Sequence, residues 1–184
     1  MTEMINKILI FLTLNLSFIG AQINGKSIAL LDFNGNGINK MESIALTNIF
    51  NDELNKTGAV FLVDRNIVKD DLSNQGIEQI KCKNLECISK AGASLNVELK
   101  IDGLIKKNKD SFSLEINVYK VSDAMKPLIV TSLVDGKVVV RKKMKEPKLI
   151  AMETKNINYK GTADGFIVEI KEMAWTLVNL KRPQ

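Results

Sequence analysis

Cys82 and Cys87 are the two cysteines of this 184-residue chain, and no histidine accompanies them. In an exported protein a single cysteine pair reads first as an intrachain disulfide. Closing so small a loop would contribute about 2 kcal/mol. A thiol–disulfide redox pair is the competing reading, because Cys87 opens a short helical pattern and a helix N-terminus lowers a thiol pKa. Redox pairs usually carry C-x-x-C spacing, whereas four residues intervene here. Free thiols are the third reading. Zinc would find its coordination sphere half empty.

Without histidine the chain lacks the commonest general base and the commonest metal ligand. Catalysis would fall to carboxylates, lysine, tyrosine or cysteine, and no spacing of these makes a site. We therefore expect no catalytic residues, no metal and no cofactor. Asp32-x-Asn34-x-Asn36-Gly37 imitates the start of a calcium loop, but its ninth position is Lys40 and its twelfth is Ser43, where a bidentate glutamate is required. The same glycines lack the lysine and the spacing of a phosphate loop, so they read as a strand-to-helix connection. Lys137, Arg141, Lys142, Lys143, Lys145 and Lys148 cluster around Asp135-Gly136. Such a cluster suits an anionic partner: phospholipid headgroups, lipopolysaccharide or an acidic protein surface. The first reading of such a cluster is nonetheless a solvated edge that charge protects from aggregation.

The elements that must carry these residues are legible from their periodicity. Ile28 to Phe33 is an apolar run broken by Asp32, as in a strand covered on both faces. Met41, Ala45, Ile49, Phe50 and Leu54 then mark one apolar helical face, closed by Thr57-Gly58. Ala59 to Val63 reads as a second buried strand ending at Asp64-Arg65. Ile67, Val68 and Leu72 give a short helix that Gly76 stops. Val97 to Ile105 and Phe112 to Val118 alternate with period two, as half-exposed strands of an antiparallel hairpin. Asp135-Gly136 joins Leu128–Val134 to Lys137–Arg141 in a second hairpin. Leu149 to Tyr159 is a further strand. Thr162 or Asp164 caps a last helix striped by Phe166, Ile167, Ile170, Met173, Ala174, Leu177 and Val178, with Trp175 bordering the core.

Composition bounds the rest. Apolar residues make up 45% of the chain and charged residues 26%, which supports one globular domain. A net charge of +5 is a mild basic bias and does not point to nucleic acid. Ile8 to Ile19 is apolar but too short for a bilayer span of about 20 residues. With Lys7 before it and Gly20-Ala21 after it, the segment reads as a secretory signal peptide over residues 1–21. Residues 22–26 follow as a linker, and the folded domain covers 27–182. No cysteine lies at the cleavage site, so the exported chain would not be lipidated.

KSIALLDFNGNG, the helix into Thr57-Gly58, Val63-Asp64-Arg65, Gln75-Gly76, Cys82-x4-Cys87, the strand into Gly103 and the Tyr159-Lys160-Gly161 strand end follow one another in an order similar to the CsgG/HfaB family. That family includes the curli secretion channel subunit. The resemblance implies a single-domain α/β sandwich of helices on a mixed sheet, related to the LpoB, FlgT and TolB N-terminal domains and to anticodon-binding-domain-like folds. It also implies a non-enzymatic protein of the periplasm or outer membrane. Such a protein acts in envelope assembly or secretion through contacts with other envelope proteins, with anionic outer-membrane lipid, or with further copies of itself. Two readings stand beside it: a redox protein using Cys82 and Cys87, and a subunit of an outer-membrane secretion pore. Neither arm of the second hairpin reaches the 9–11 alternating residues, about what a transmembrane strand needs.

Overall fold

The computed structural model describes residues 23–74, 76, 95, 97–121, 128–134, 137–143 and 149–183, and of residues 128–134, 137–143 and 149 the backbone alone. In chain order the elements are β1 (Ser27–Leu30), β2 (Asn34–Asn36), α1 (Lys40–Lys56), β3 (Phe61–Leu62), α2 (Arg65–Asn74), β4 (Leu99–Asn108), β5 (Ser111–Val121), β6 (Leu128–Val134), β7 (Lys137–Lys143), β8 (Leu149–Lys160) and α3 (Ala163–Leu177). β1 lies parallel to β3 on one side and to β4 on the other. β4 and β5 pair antiparallel, as do β5 and β8. β2 pairs parallel with β4 further along it. The result is a six-stranded mixed sheet in the order β3-β1-β4-β5-β8, with β2 beside β4. β6 and β7 form a separate two-stranded sheet. The expected α/β arrangement of helices on a mixed sheet is therefore present.

Alternation along β1 sorts the core into two layers. Ile28 and Leu30 pack with Phe50 and Leu54 of α1 and with Phe166, Ile170 and Leu177 of α3. Ala29 and Leu31 pack on the opposite face with Val68 and Leu72 of α2 and with Val97. Both faces of β1 are covered, as its unbroken apolar run requires. Phe33 lies against Phe50 with ring centroids 5.4 Å apart. A Cβ on Gly103 would stand 2.6 Å from the Phe33 ring, so that glycine is what lets the ring lie on β4. Gly37 turns the chain out of β2 at φ +77°, where a Cβ would meet the Lys107 carbonyl oxygen at 2.2 Å.

Helix termini follow the sequence signals. Asn39 and Glu42 form a reciprocal capping box on α1, and Gly58 follows the helix with φ +61°. Thr162, rather than Asp164, caps α3 by accepting the Gly165 N–H.

Three expectations are corrected. The buried face of α1 is Ser43, Thr47, Phe50, Glu53 and Leu54, while Met41 is 74% exposed. Two hydroxyls displace the expected apolar residues because the backbone of Phe33, just beyond β1, needs partners. Thr47 Oγ1 accepts the Phe33 N–H at 3.0 Å, and Ser43 Oγ donates to the Phe33 carbonyl. The second strand shrinks to β3, a two-residue edge strand whose Phe61 is 70% exposed. β4 is not half-exposed: Lys100 is fully buried and Asp102 half-buried, because α2 and its satellite cluster cover the face that alternation assigned to solvent.

Candidate functional site

A cleft of about 670 Å³ lies among the described residues at the carboxyl ends of β1 and β3. Its location follows from topology. The chain leaves β1 toward α1 on one face of the sheet and leaves β3 toward α2 on the other. Adjacent parallel strands whose connections depart to opposite faces leave a crevice between those connections, the usual ligand position in open α/β sheets.

α1 lines the cleft with Lys40, Ile44, Asn48, Asn51 and Asn55. These positions recur every three or four residues and so share one helical face. Asp32, just past β1, and Asp64 and Arg65, just past β3, close the floor. The Asp32 carboxylate accepts from Arg65 Nη2 in a largely buried ion pair, with 18% of the arginine side chain and 15% of the aspartate exposed. Asp64 Oδ1 accepts the Asn66 N–H at 2.7 Å and so anchors the start of α2. Two buried polar atoms here have no hydrogen-bond partner: Asn51 Oδ1 and Arg65 Nη1. Buried groups of this kind are ordinarily satisfied. Around the cleft the charges of Lys40, Arg65 and Lys69 nearly balance those of Asp32 and Asp64.

Among the described residues no group of three or more histidine, cysteine, aspartate or glutamate residues could hold a metal ion. The calcium-loop imitation dissolves in the structure, because Asp32 is taken up by Arg65 and Asn34–Asn36 is a strand.

Among the described residues, Lys100, Asp102 and Tyr119 are perturbed, and they lie away from this cleft. Burial lowers the Lys100 ammonium pKa to about 7, against the opposing pull of the Asp71 carboxylate. Burial raises the neighbouring Asp102 carboxyl, partly offset by the Asn117 amide at 3.1 Å, while the Glu115 charge adds to the rise. Tyr119, cross-strand from Lys100, is pushed up to about 12 by burial and by the charges of Asp102 and Glu115. Thr154 Oγ1 donates to Asn117 Oδ1 at 2.8 Å and extends this polar ladder onto β8.

Of the residues singled out in the sequence, Lys137, Arg141, Lys142 and Lys143 stand on β7, paired in register with Val134, Val130, Ile129 and Leu128. Lys145 and Lys148, both cysteines and the signal segment lie outside the described residues. Ile23, within the segment read as linker, is buried in the main core. Trp175 is half-buried and donates from Nε1 to Glu53 Oε1 at 3.0 Å, tying α3 to α1. The asparagine stripe of α1 escaped the sequence reading, which followed apolar spacing alone. Its i, i+3, i+7 spacing was the available signal.

No protein-family model matches the chain, and no curated protein matches it. Solved structures that it resembles include the LpoB C-terminal domain from Salmonella enterica, at 10% identity and TM-score 0.49, covering 83% of this chain and 93% of that one. Lipoprotein GNA1162 from Neisseria meningitidis is similar at 7% identity and TM-score 0.47, covering 78% and 91%. The PelC dodecamer from Paraburkholderia phytofirmans is similar at 9% identity and TM-score 0.45, covering 89% and 94%. With every one of these TM-scores below 0.5, none of the likenesses carries an argument about function.

Proposed function

We propose that this chain is a non-enzymatic, CsgG-related protein of the bacterial envelope. It is exported to the periplasm and works there or in association with the outer membrane, by protein–protein contact in envelope assembly or secretion. The observation that carries the reading is the β6–β7 ribbon. It is hydrogen-bonded as its own sheet outside the main one, and its second strand gathers four basic residues, Lys137, Arg141, Lys142 and Lys143. A ribbon so charged, with Lys145 and Lys148 following in the sequence, suits an anionic partner surface. Cys82 and Cys87 serve as a structural disulfide in this reading.

The test combines fractionation with site-specific photo-crosslinking from Val139 in the native cell envelope. The expected result is a processed protein in the envelope fraction that forms one discrete adduct. That adduct should disappear when Lys137, Arg141, Lys142 and Lys143 are all changed to glutamate. A protein retained in the cytoplasm with its N-terminus intact, or an adduct indifferent to the charge reversal, would overturn the reading.

A further inference from the structure

Alternation along β4, β5 and β8 sends Ile105, Phe112, Leu114 and Ile157 into the main core. It sends Lys106, Asn108, Ser111, Ser113, Asn158 and Lys160 to the opposite face of the sheet. Register sets these six residues in two rows across three strands. Lys106, Ser113 and Asn158 form one row, and Asn108, Ser111 and Lys160 the next. The same six line a hollow of about 290 Å³, in which the two serines are half-buried and the other four residues exposed. The lysines stand at opposite corners of this grid. Two strand spacings one way and two residues the other put their Cα atoms about 12 Å apart. Two flexible four-carbon stems can therefore converge on one group between them.

Among the described residues no acidic side chain lines the hollow. Glu115, two residues along β5 from Ser113, accepts from the Asn117 amide at 3.3 Å on its far side. Lys109 and Asp110 in the adjoining turn cancel in charge. Among the described residues the side chains of Lys106, Ser113, Asn158 and Lys160 have no hydrogen-bond or ion-pair partner. Ser111 differs: its hydroxyl donates to the Asn108 carbonyl at 2.8 Å, which leaves its oxygen able only to accept. An occupant that satisfies this set accepts from two ammonium groups and donates to a hydroxyl oxygen. A bare oxyanion meets the first demand and a neutral sugar the second, whereas a sugar carrying a phosphate meets both. Phe112 and Tyr159, the remaining lining residues, lie against Phe166 on the core side, so the hollow offers no apolar surface to an acyl chain.

We propose that this polar hollow on β4, β5 and β8 binds a sugar phosphate, with Lys106 and Lys160 holding the phosphate and Ser111, Ser113 and Asn158 reading the hydroxyls. The proposal is independent of the basic ribbon: an inert ribbon would leave it standing, and an empty hollow would leave the ribbon reading standing.

The experiment titrates glucose 6-phosphate, inorganic phosphate and glucose separately into the ¹⁵N-labelled protein and follows backbone amide shifts. Glucose 6-phosphate should shift Lys106, Ser111, Ser113, Asn158 and Lys160, and its affinity should fall as salt is raised. It should bind about tenfold more tightly than either inorganic phosphate or glucose, the effect of the hydrogen bonds or charge that each of these lacks. Lys106→Gln and Lys160→Gln should each weaken it about fivefold, the scale of one exposed ion pair. Lys137→Gln, on the ribbon, should leave it unchanged. Inorganic phosphate binding as tightly as the sugar phosphate would mean an adventitious ion only and would overturn the proposal. Glucose binding as tightly, shifts confined to β7, or no shift at the five residues would overturn it equally. The three-ligand comparison is made in the unaltered protein, so the outcome does not depend on any variant's folding.

Discussion

Toward α1 and α3 the sheet presents Leu99, Ile101 and Ile105 of β4 and Leu114, Ile116 and Val118 of β5. The same two strands turn Lys100, Asp102, Glu115, Asn117 and Tyr119 to the other side, where among the described residues Ala29, Leu31, Val68, Leu72 and Val97 form a smaller apolar cluster. One face is held by aliphatic and aromatic burial. The other buries ionisable groups that perturb one another. Burial of apolar area stabilises in proportion to that area, whereas a buried charge costs free energy unless its partners are well placed. The contrast assigns stability mainly to the first face and pH sensitivity to the second, and each assignment can be broken by substitution.

The largest effect is expected at Phe50, fully buried between Phe33 and the α3 layer. Phe50→Ala should lower unfolding stability by about 3–5 kcal/mol in urea titration. A cost no greater than that of a surface change would mean that this layer is not the main core.

Next comes Lys100→Met, of opposite sign. The folded pKa of about 7 lies below the ordinary 10.5. The unfolded chain therefore binds more protons between these values, and stability rises with pH across that interval. Replacing the buried ammonium by an apolar side chain of similar length should raise stability by about 1–4 kcal/mol at pH 6. It should also flatten the rise between pH 7 and 10.5. A variant less stable than the parent at pH 6 would show that the contact with Asp71 outweighs the cost of burial.

Glu53→Gln should have the smallest effect, at about 1–3 kcal/mol of destabilisation. Burial pulls this carboxyl upward, but hydrogen bonds from Trp175 and Lys56, with the charges of Lys56 and Arg182, hold it below 4.5. The stabilisation is complete above pH 4.5 and is lost as pH falls through the folded value. The glutamine variant should therefore lose part of the acid-side slope in thermal melts between pH 5 and 2, about the span over which such carboxylates titrate. An unchanged slope would mean that Glu53 and its partners Trp175, Lys56 and Arg182 do not carry the acid sensitivity.

Much of the frame was legible in the sequence. The β4–β5 hairpin, the Asp-Gly ribbon, β8, the α3 stripe and the stops at Gly58 and Gly76 each rest on a local signal within a few residues. The candidate cleft was far less legible. Asp64-Arg65 reads as a strand end, and Asp32 as an interruption in an apolar run. Nothing local pairs them, because they are separated by 33 residues.

The amino-acid sequence by itself determined the period of each element, where it starts and stops, and the absence of any imidazole chemistry. Tertiary structure decided which side of each element is buried. It rotated α1 so that Ser43 and Thr47 serve the backbone of Phe33 and the asparagine stripe lines the same cleft as Arg65. It set Trp175 on Glu53 across 122 residues of chain, and it covered Lys100, which alternation had assigned to water. The physical reason is common to all of these. Periodicity is a property of consecutive residues, but burial is a property of whatever the chain brings alongside, and a helix or strand cannot encode its neighbour in its own spacing.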